Sequence, residues 1–480
     1  MAVKFKFPYY INLLAGPLLL LFTLFNPPLF SEMSQTAWLI CGLTAWMALW
    51  WITEPVPIPV TALLPIAVVP LLGIDSVGKV TAPYAHPLIF LFLGGFILSI
   101  AMERWQLHKR IALLTMLLVG TKPSQQIGGM MLVTAFLSMW MSNTATAVMM
   151  LPIGLSIIAM QQEQGMANDN FAKAILLAIA YAASIGGIAT LIGTPPNALL
   201  AAYLERSYQL QLSFADWMLF GVPLSVSMLL LCWLWLTKLH FKLDKTATVD
   251  SRVLYRQRLN ELGPMQTAEK LVLIIFASAA FCWVFRGLLS ELSGIKLDDT
   301  LIAIAAASLL FIVPVSLKTG QRILQWQDCQ QLPWGVLLLF GGGLTLAGQI
   351  DNSGLSSYIA GQIGQLGQID VLLLIVLVTT VIIFLTEITS NTATAAAFLP
   401  LLGPVAVSLN TSAAMLVIPA AVAASCAFMM PVATPPNAII FASGKLKIID
   451  MVKAGLVLNL SGIVLISAFT MLIARSVFNF

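Results

Sequence analysis

Four short polar phrases stand inside an otherwise apolar chain, and they come as two pairs. Ser142-Asn143-Thr144-Ala145-Thr146 is repeated as Ser390-Asn391-Thr392-Ala393-Thr394, and each copy runs into a Leu-Pro pair, Leu151-Pro152 and Leu399-Pro400. Gly193-Thr194-Pro195-Pro196-Asn197-Ala198 returns as Ala433-Thr434-Pro435-Pro436-Asn437-Ala438, at nearly the same separation from its partner phrase. Two composite motifs duplicated in the same order point to two homologous halves. A broken helix leaves amides unpaired where it restarts and carbonyls unpaired where it stops. Asn143 and Thr144, and Asn391 and Thr392, are placed to cap a restarting helix. In Thr194-Pro195-Pro196 and Thr434-Pro435-Pro436 a capping residue precedes proline at the first helical position, a strong start signal.

These ends can do ionic chemistry without ionic side chains. Four helix N-termini around one cavity, at about half a positive charge each, amount to roughly +2, which matches a dianion in sign and size. No lysine, arginine or histidine lies in any of the four phrases. A bound anion would therefore be held by hydroxyls, amides, backbone N–H groups and any cations entering with it. Carbonyls at the broken ends, with Ser and Asn oxygens, are hard ligands suited to sodium. Proton coupling or exchange could use the same cavity, and spacing alone does not choose between them.

The elements that must position these phrases are membrane helices. Mean hydropathy is +0.94 and only 9% of residues are charged, which excludes an ordinary soluble globule. The basic surplus, 24 against 20 acidic residues, is too small to suggest nucleic acid as a partner. Uncharged runs give about eleven crossings, near 10–30, 36–53, 57–73, 86–102, 172–204, 217–237, 271–288, 300–317, 333–350, 413–442 and 453–474. Two further apolar stretches, about 123–160 and 371–402, hold the Ser-Asn-Thr phrases at their middles and read as re-entrant hairpins whose tips are buried in protein. Lys4 and Lys6 before an apolar run imitate a signal peptide, but the uncharged run from Phe7 to Ser31 lacks a small-residue cleavage pattern and reads as a retained span.

Basic residues set the orientation. Lys238, Lys242, Lys245, Arg252, Arg256, Arg258 and Lys270 place the central loop in the cytoplasm, with Lys4, Lys6, Lys109, Arg110, Lys318, Arg322, Lys445, Lys447 and Lys453 on that side. The N-terminus is then cytoplasmic and the C-terminus periplasmic. The division is a first crossing over 1–35, a first repeat over 36–240, a cytoplasmic linker over 241–268 and a second repeat over 269–480. Five crossings per repeat is odd, so the halves insert in opposite senses as an inverted repeat. Leu93-Gly94-Gly95 and Gly341-Gly342-Gly343 echo each other ahead of the hairpins, each followed by an acid, Glu103 or Asp351, and such glycines permit close helix packing.

Other residues invite plainer readings. A lone Ser-Asn-Thr in a membrane helix is interhelical glue; its pairing with Thr-Pro-Pro-Asn in both halves is what makes it a binding site. Glu387, three residues before Ser390, is a functional candidate or has a packing or capping role. His86, His108 and His240 read as interfacial, and the twelve tryptophans mainly as interface anchors. Cys41, Cys232, Cys282, Cys329 and Cys426 have neither disulfide nor metal spacing and read as structural thiols in helices.

On these phrases the chain resembles the divalent anion:sodium symporters, which include bacterial sodium-dicarboxylate carriers of the INDY type. The likeness in topology covers nearly the whole sequence. It implies an elevator carrier, with a transport domain of hairpins and broken helices moving past a scaffold domain that forms a homodimer. It also implies one sodium site at Ser138, Ser142, Asn143 and Gly193 and a second at Thr386, Thr389, Asn391 and Ala433. Substrate carboxylates would meet Ser142, Asn143, Thr144 and Thr194 from one half and Ser390, Asn391, Thr392, Thr434 and Pro435 from the other. Thr194, where relatives vary, leaves the choice among dicarboxylates open, and Thr389, where some relatives place alanine, changes little if a carbonyl is the ligand.

The expectation is thus an all-α polytopic inner-membrane protein that imports C4-dicarboxylates such as succinate, malate or fumarate with sodium. No cofactor beyond that coupling ion is expected. An exchanger working without sodium, or a citrate or sulfate carrier of the same fold, stands as the alternative. An anion channel is a reading from another class. Ser142 and Ser390 have no His or Lys nearby in sequence and no His-Glu-x-x-His motif occurs, so an enzyme is not expected.

Overall fold

Helix forms along the apolar runs, in places across an interior proline such as Pro17, Pro152, Pro223, Pro400 and Pro419, and many helix ends fall at capping hydroxyls or left-handed residues. The structure is a computed structural model that describes residues 9–30, 32–163, 168–243, 252–316, 318, 320–364, 370–478 and 480. Lys4, Lys6, Phe7, Ser31 and Lys245 lie outside the described residues.

The first helices, α1 (Tyr9–Phe25) and α2 (Gln35–Thr53), pack along each other. The Ser34 hydroxyl caps α2 by accepting from the Ala37 N–H at 3.1 Å. The helix ends at Glu54, a non-glycine residue in the left-handed region with φ 47°, whose N–H donates to the Trp50 carbonyl at 2.9 Å. The crossing expected at 57–73 is not one helix. Pro57, Pro59, Pro65 and Pro70 crowd it, and it forms α3 (Ile58–Ala62) and α4 (Leu64–Leu71), interrupted at Leu63. A short α5 (Val77–Thr81) leads to α6 (Pro87–Arg104).

At Gln106, again left-handed at φ 55°, the chain reverses into α7 (Leu107–Leu118). This stretch, expected as a basic loop, is a helix, and its Arg110 is buried. Arg110 Nε and Nη2 donate to the two Glu269 carboxylate oxygens at 2.7 and 3.2 Å. The first hairpin is α8 (Pro123–Ser138) and α9 (Asn143–Glu163). It is followed by α10 (Asp169–Ile188), a break, α11 (Pro195–Tyr208) and α12 (Phe214–Leu234). Within the linker lies α13 (Arg252–Glu261).

The second half opens with α14 (Thr267–Val284), α15 (Arg286–Ser293) and α16 (Asp299–Ile312). It then repeats the first half piece by piece. After α17 (Trp334–Asn352) come α18 (Leu355–Gly364) and a hairpin of α19 (Val371–Thr386) and α20 (Asn391–Ser408). A second broken helix, α21 (Ala414–Ala424) and α22 (Pro435–Phe441), precedes α23 (Ile448–Phe469) and the terminal α24 (Arg475–Phe478). Both α12 and α23 run on into a wide π turn, at Trp235–His240 and Thr470–Ala474. Nine helices among the described residues are long and apolar enough to cross a membrane, and the architecture is all-α.

Packing follows the repeat. The hairpin of the first half packs on α10 and that of the second on α21, while α11 also packs on α20 and α22 on α9. Each half therefore lays the restarted piece of its broken helix on the other half's hairpin. Two of the echoed glycines sit at close crossings: a Cβ on Gly94 would fall 2.7 Å from the Ala303 carbonyl carbon, and one on Gly342 would strike the Ala62 backbone.

Three expectations about single residues are corrected. Trp38, Trp50, Trp51, Trp140, Trp217 and Trp283 are buried rather than anchored at an interface. Trp140, Phe214 and Trp283 stack, and the Trp217 and Trp283 ring N–H groups each donate to a backbone carbonyl at 3.0 Å, so both ends of the ring are satisfied inside the protein. His108 is buried too, with Nδ1 2.8 Å from the Met102 carbonyl oxygen. All five cysteines are free, but Cys329 lies in a 3₁₀ turn and Cys426 in the second break, not in α-helices.

Candidate functional site

The Ser-Asn-Thr phrases are the turns of the two hairpins. In the first, capping falls one residue earlier than expected: the Ser142 hydroxyl accepts from the Ala145 N–H at 3.2 Å. In the second, Ser390 occupies the N-cap position in extended backbone. Asn143 and Asn391 are therefore the first helical residues, which frees their side chains to turn inward. Each meets a hydroxyl from the incoming arm. Ser138 Oγ lies 2.6 Å from Asn143 Oδ1 and 2.6 Å from the Ala183 carbonyl oxygen. Thr386 Oγ1 lies 2.8 Å from Asn391 Oδ1 and 3.0 Å from the Ala424 carbonyl oxygen.

Each group thus gathers three oxygens around one hydroxyl proton. A single O–H satisfies one acceptor well, so a surplus of lone pairs remains in a buried place. The Gly193 carbonyl oxygen borders the first group: a Cβ on Gly187 would lie 2.7 Å from Asn143 Oδ1 and 3.1 Å from Gly193 O. Glycine keeps that space open. Thr389 Oγ1 is 2.7 Å from Thr394 Oγ1 and 2.9 Å from the Leu385 carbonyl, so its side chain is engaged within its own hairpin.

The breaks are held by the asparagines of the second phrase. Asn197 Nδ2 donates toward the carbonyls of Gly187, Ile188 and Thr190 at 3.2, 3.2 and 2.8 Å, and Asn437 Nδ2 toward those of Ala427 and Met430 at 3.2 and 3.0 Å. These carbonyls lie in the last turn of α10 and within the two breaks, and those of Thr190 and Met430 also accept from the Gly193 and Ala433 N–H groups at 3.4 and 3.2 Å. Thr434 caps α22 by accepting from the Asn437 N–H at 3.3 Å. Thr194 stands at the same position of α11, and its hydroxyl is 3.4 Å from that of Ser425, which joins the two breaks directly.

Glu387 belongs to the second break. Its Oε1 accepts from the N–H groups of Phe428 and Met429 at 2.7 and 2.9 Å and from Asn459 Nδ2 at 2.8 Å, while Oε2 accepts from the Met430 N–H at 2.9 Å. Three consecutive amides curled around a carboxylate form a nest, an arrangement that favours a negative charge. These bonds are those of a packing or capping role. In the first half the corresponding tie is neutral: the Thr190 hydroxyl donates to the Met139 carbonyl.

All of this surrounds one cavity of about 1410 Å³. Ser142, Asn143, Thr144, Gly193, Thr194, Thr389, Ser390, Asn391, Thr392, Ala433, Thr434 and Pro435 line it. Ser138 and Thr386 sit behind that lining, fully buried and bonded to the two asparagines. The starts of α9, α11, α20 and α22 all reach the cavity, so four helix N-termini converge as the motif spacing implied. Sequence reasoning missed the Ala183 and Ala424 carbonyls, which carry no side-chain signature, and Gly187, which the Gly186-Gly187 pair could have flagged. It also missed the opposite wall, where Glu54, Phe96, Ser99, Glu103 and Gln331 face the hairpin tips.

Known proteins share this architecture and sequence. The chain is 42% identical over 467 residues to the sodium-dependent dicarboxylate transporter SdcS of Staphylococcus saprophyticus, covering 95% of this chain and 89% of that protein. It is 44% identical over 469 residues, with the same coverage, to SdcS of Staphylococcus aureus strain USA300. The solved YdaH transporter of Alcanivorax borkumensis aligns with a TM-score of 0.59 at 14% identity, over 90% of this chain and 98% of that one, which shows a shared fold. Residues 9–479 match the family described as the sodium:sulfate symporter transmembrane region, and the chain belongs to that family.

Proposed function

We propose that the protein is a sodium-coupled symporter for C4-dicarboxylates such as succinate, malate and fumarate, a multi-pass carrier of the plasma membrane. The observation that carries this reading is the pairing of two buried oxygen groups with four converging helix starts around one cavity that has no basic side chain in its lining among the described residues. Helix N-termini and hydroxyls suit carboxylates, and hard neutral oxygens in surplus suit sodium.

In this reading Ser138, Ser142, Asn143 and the Gly193 carbonyl hold one sodium ion, joined by the Ala183 carbonyl. Thr386, Asn391 and the carbonyls of Thr389 and Ala433 hold the second, joined by that of Ala424. Ser142, Asn143, Thr144 and Thr194 face Ser390, Asn391, Thr392, Thr434 and Pro435 across the substrate. The hairpins with α10–α12 and α21–α23 form a transport domain. The remaining helices form a scaffold that dimerises, and the two halves insert in opposite senses. With the N-terminus cytoplasmic and the C-terminus periplasmic, Glu54, Gln331 and Pro333 rim the cavity from the cytoplasmic side, which makes this an inward-facing state.

Uptake of labelled succinate into proteoliposomes, with a sodium gradient and then with sodium replaced by choline or potassium, tests the coupling. Sodium-driven accumulation is expected; undiminished uptake in choline overturns it. Counterflow that requires internal substrate would reveal an exchanger. Competition by unlabelled malate, fumarate, citrate and sulfate then ranks the anions.

A further inference from the structure

The connection between α11 and α12 is pinned at both ends to helices outside the proposed transport domain. At its near end Arg206, in the last turn of α11, reaches across to α17, where Nη1 donates to the Leu344 carbonyl at 3.1 Å. That carbonyl lies inside a helix, and Gly348 one turn on leaves it open: a Cβ there would fall 2.8 Å from Arg206 Nη2. The Asp351 carboxylate, also on α17, acts on the same cation through its charge. Next to Arg206, Glu205 Oε2 lies 3.9 Å from Nε2 of His86 at the start of α6. At the far end the N–H of Phe214, the first residue of α12, has no partner within its own helix and donates to Asp299 Oδ2 at 2.9 Å. Asp299 opens α16 and is buried, with Arg286 Nη1 3.0 Å from the same oxygen. The Phe214 ring stacks on Trp283 of α14, 4.8 Å between centroids, and on Trp140, two residues before Ser142 in the first hairpin turn.

We propose that these contacts form a clasp on the periplasmic seam, which holds the inward-facing state and opens before the site is presented to the periplasm. The inference rests on the division into transport domain and scaffold and on the inward-facing reading, and it adds the groups that set the balance between the two states. In that division α11, α12 and the first hairpin move, while α6, α14, α16 and α17 stay. A hydrogen bond survives a shift of a few tenths of an ångström at most, so sliding by a single helical turn, about 5.4 Å, breaks the Arg206 and Phe214 bonds together. Both donors then have to find water. A contact made in one state only shifts the equilibrium by its own worth. One hydrogen bond to a charged group at a half-buried seam corresponds to about ten-fold in that equilibrium.

The test compares the two states without substrate. Ile388 is exposed on the cavity wall beside the second hairpin turn. An Ile388→Cys chain is treated with a membrane-impermeant thiol reagent in right-side-out and in inside-out membrane vesicles. The pH is held fixed, because the His86 contact is an ion pair only when His86 is protonated. The chain without this change, whose own cysteines are buried or half-buried, gives the background. With labelling slow against interconversion, the ratio of the inside-out to the right-side-out rate follows the ratio of inward- to outward-facing protein, whatever its starting value. Arg206→Met and Gly348→Ala break the same bond from opposite sides. Each should lower the rate ratio about ten-fold, and the double variant little further. Alanine favours helix, so Gly348→Ala leaves α17 intact and touches neither Arg206 nor Asp351 chemically. Arg206→Lys keeps a cation and a donor and should stay nearer the wild-type ratio. Phe214→Leu, which removes the stack at the far end and keeps the N–H, should lower the ratio several-fold. If Arg206→Met fails to insert, Gly348→Ala and Phe214→Leu decide. An unchanged ratio in both, or a ratio that rises, overturns the clasp. Labelling from one side only in every variant overturns the two-state reading and the clasp with it, whereas failure to take up succinate overturns the substrate reading alone.

Discussion

Glu387→Gln tests how the second break is held. The wild-type carboxylate accepts four N–H donors, three from the backbone of residues 428–430 and one from Asn459, inside a buried site. Glutamine keeps one oxygen and turns an NH₂ group toward donors it cannot satisfy. Hydrogen bonds to a charged acceptor are worth about 1.5–3 kcal/mol against about 0.5–1.5 for neutral ones, and a stranded buried donor costs about 1–3 kcal/mol. Losing charge on three bonds and stranding one donor gives a gross cost of about 4–7 kcal/mol, offset in part because a charge is no longer buried. The loss falls on residues 425–434, which carry the Ala433 carbonyl and adjoin that of Ala424. Purified Glu387→Gln protein should therefore melt earlier, and its half-saturation by sodium in succinate uptake should rise by at least about ten-fold. Asn459→Ala removes one donor and leaves the backbone nest whole, so its cost should be nearer 1 kcal/mol. Wild-type melting and wild-type sodium dependence in Glu387→Gln would refute the nest as the support of the break.

Further outcomes follow from the same geometry. Asn143→Ala and Asn391→Ala each remove an oxygen from one buried group and should cut sodium-driven uptake more than about ten-fold, with expression preserved, because a lost ligand contact costs on the order of 1.5–3 kcal/mol. Gly187→Ala places a methyl group against Asn143 Oδ1 and Gly193 O and should weaken sodium half-saturation with little change in melting. Arg110→Ala leaves Glu269 buried without its bidentate partner and should cost about 3–5 kcal/mol in detergent unfolding, partly recovered in the Arg110→Ala/Glu269→Gln double variant.

The doubled phrases were legible because small polar residues are conspicuous in an apolar chain, and because Thr-Pro-Pro-Asn marks a helix start wherever it occurs. The convergence of both hairpin turns on one cavity followed from the repeat. What the residues could not convey is carried by groups without identity. The Ala183 and Ala424 carbonyls, and the amides of Phe428, Met429 and Met430, belong to backbone that any sequence has. Ser-Asn-Thr offers three residues able to cap, and sequence alone does not say that Ser142 takes the task and frees Asn143. Helix α7 escaped notice because Lys109 and Arg110 look like a cytoplasmic loop, and only the distant Glu269 shows why an arginine is buried there. Prolines at 57, 59, 65 and 70 did signal interruption of the third apolar run, and hydropathy alone masked it. Glu54 and Glu103 lie far in sequence from every motif, and only folding sets them opposite the hairpin tips.

The central claim is that two oxygen groups hold cations while the four helix starts hold a dicarboxylate between them. A high-resolution structure of the protein with sodium and succinate addresses it most directly. Cation density beside Ser138, Asn143 and Ala183, and beside Thr386, Asn391 and Ala424, with succinate between Ser142–Thr144 and Ser390–Thr392, is the predicted result. Succinate bound away from both hairpin turns, or both oxygen groups closed on themselves in protein that still transports with sodium, would contradict it.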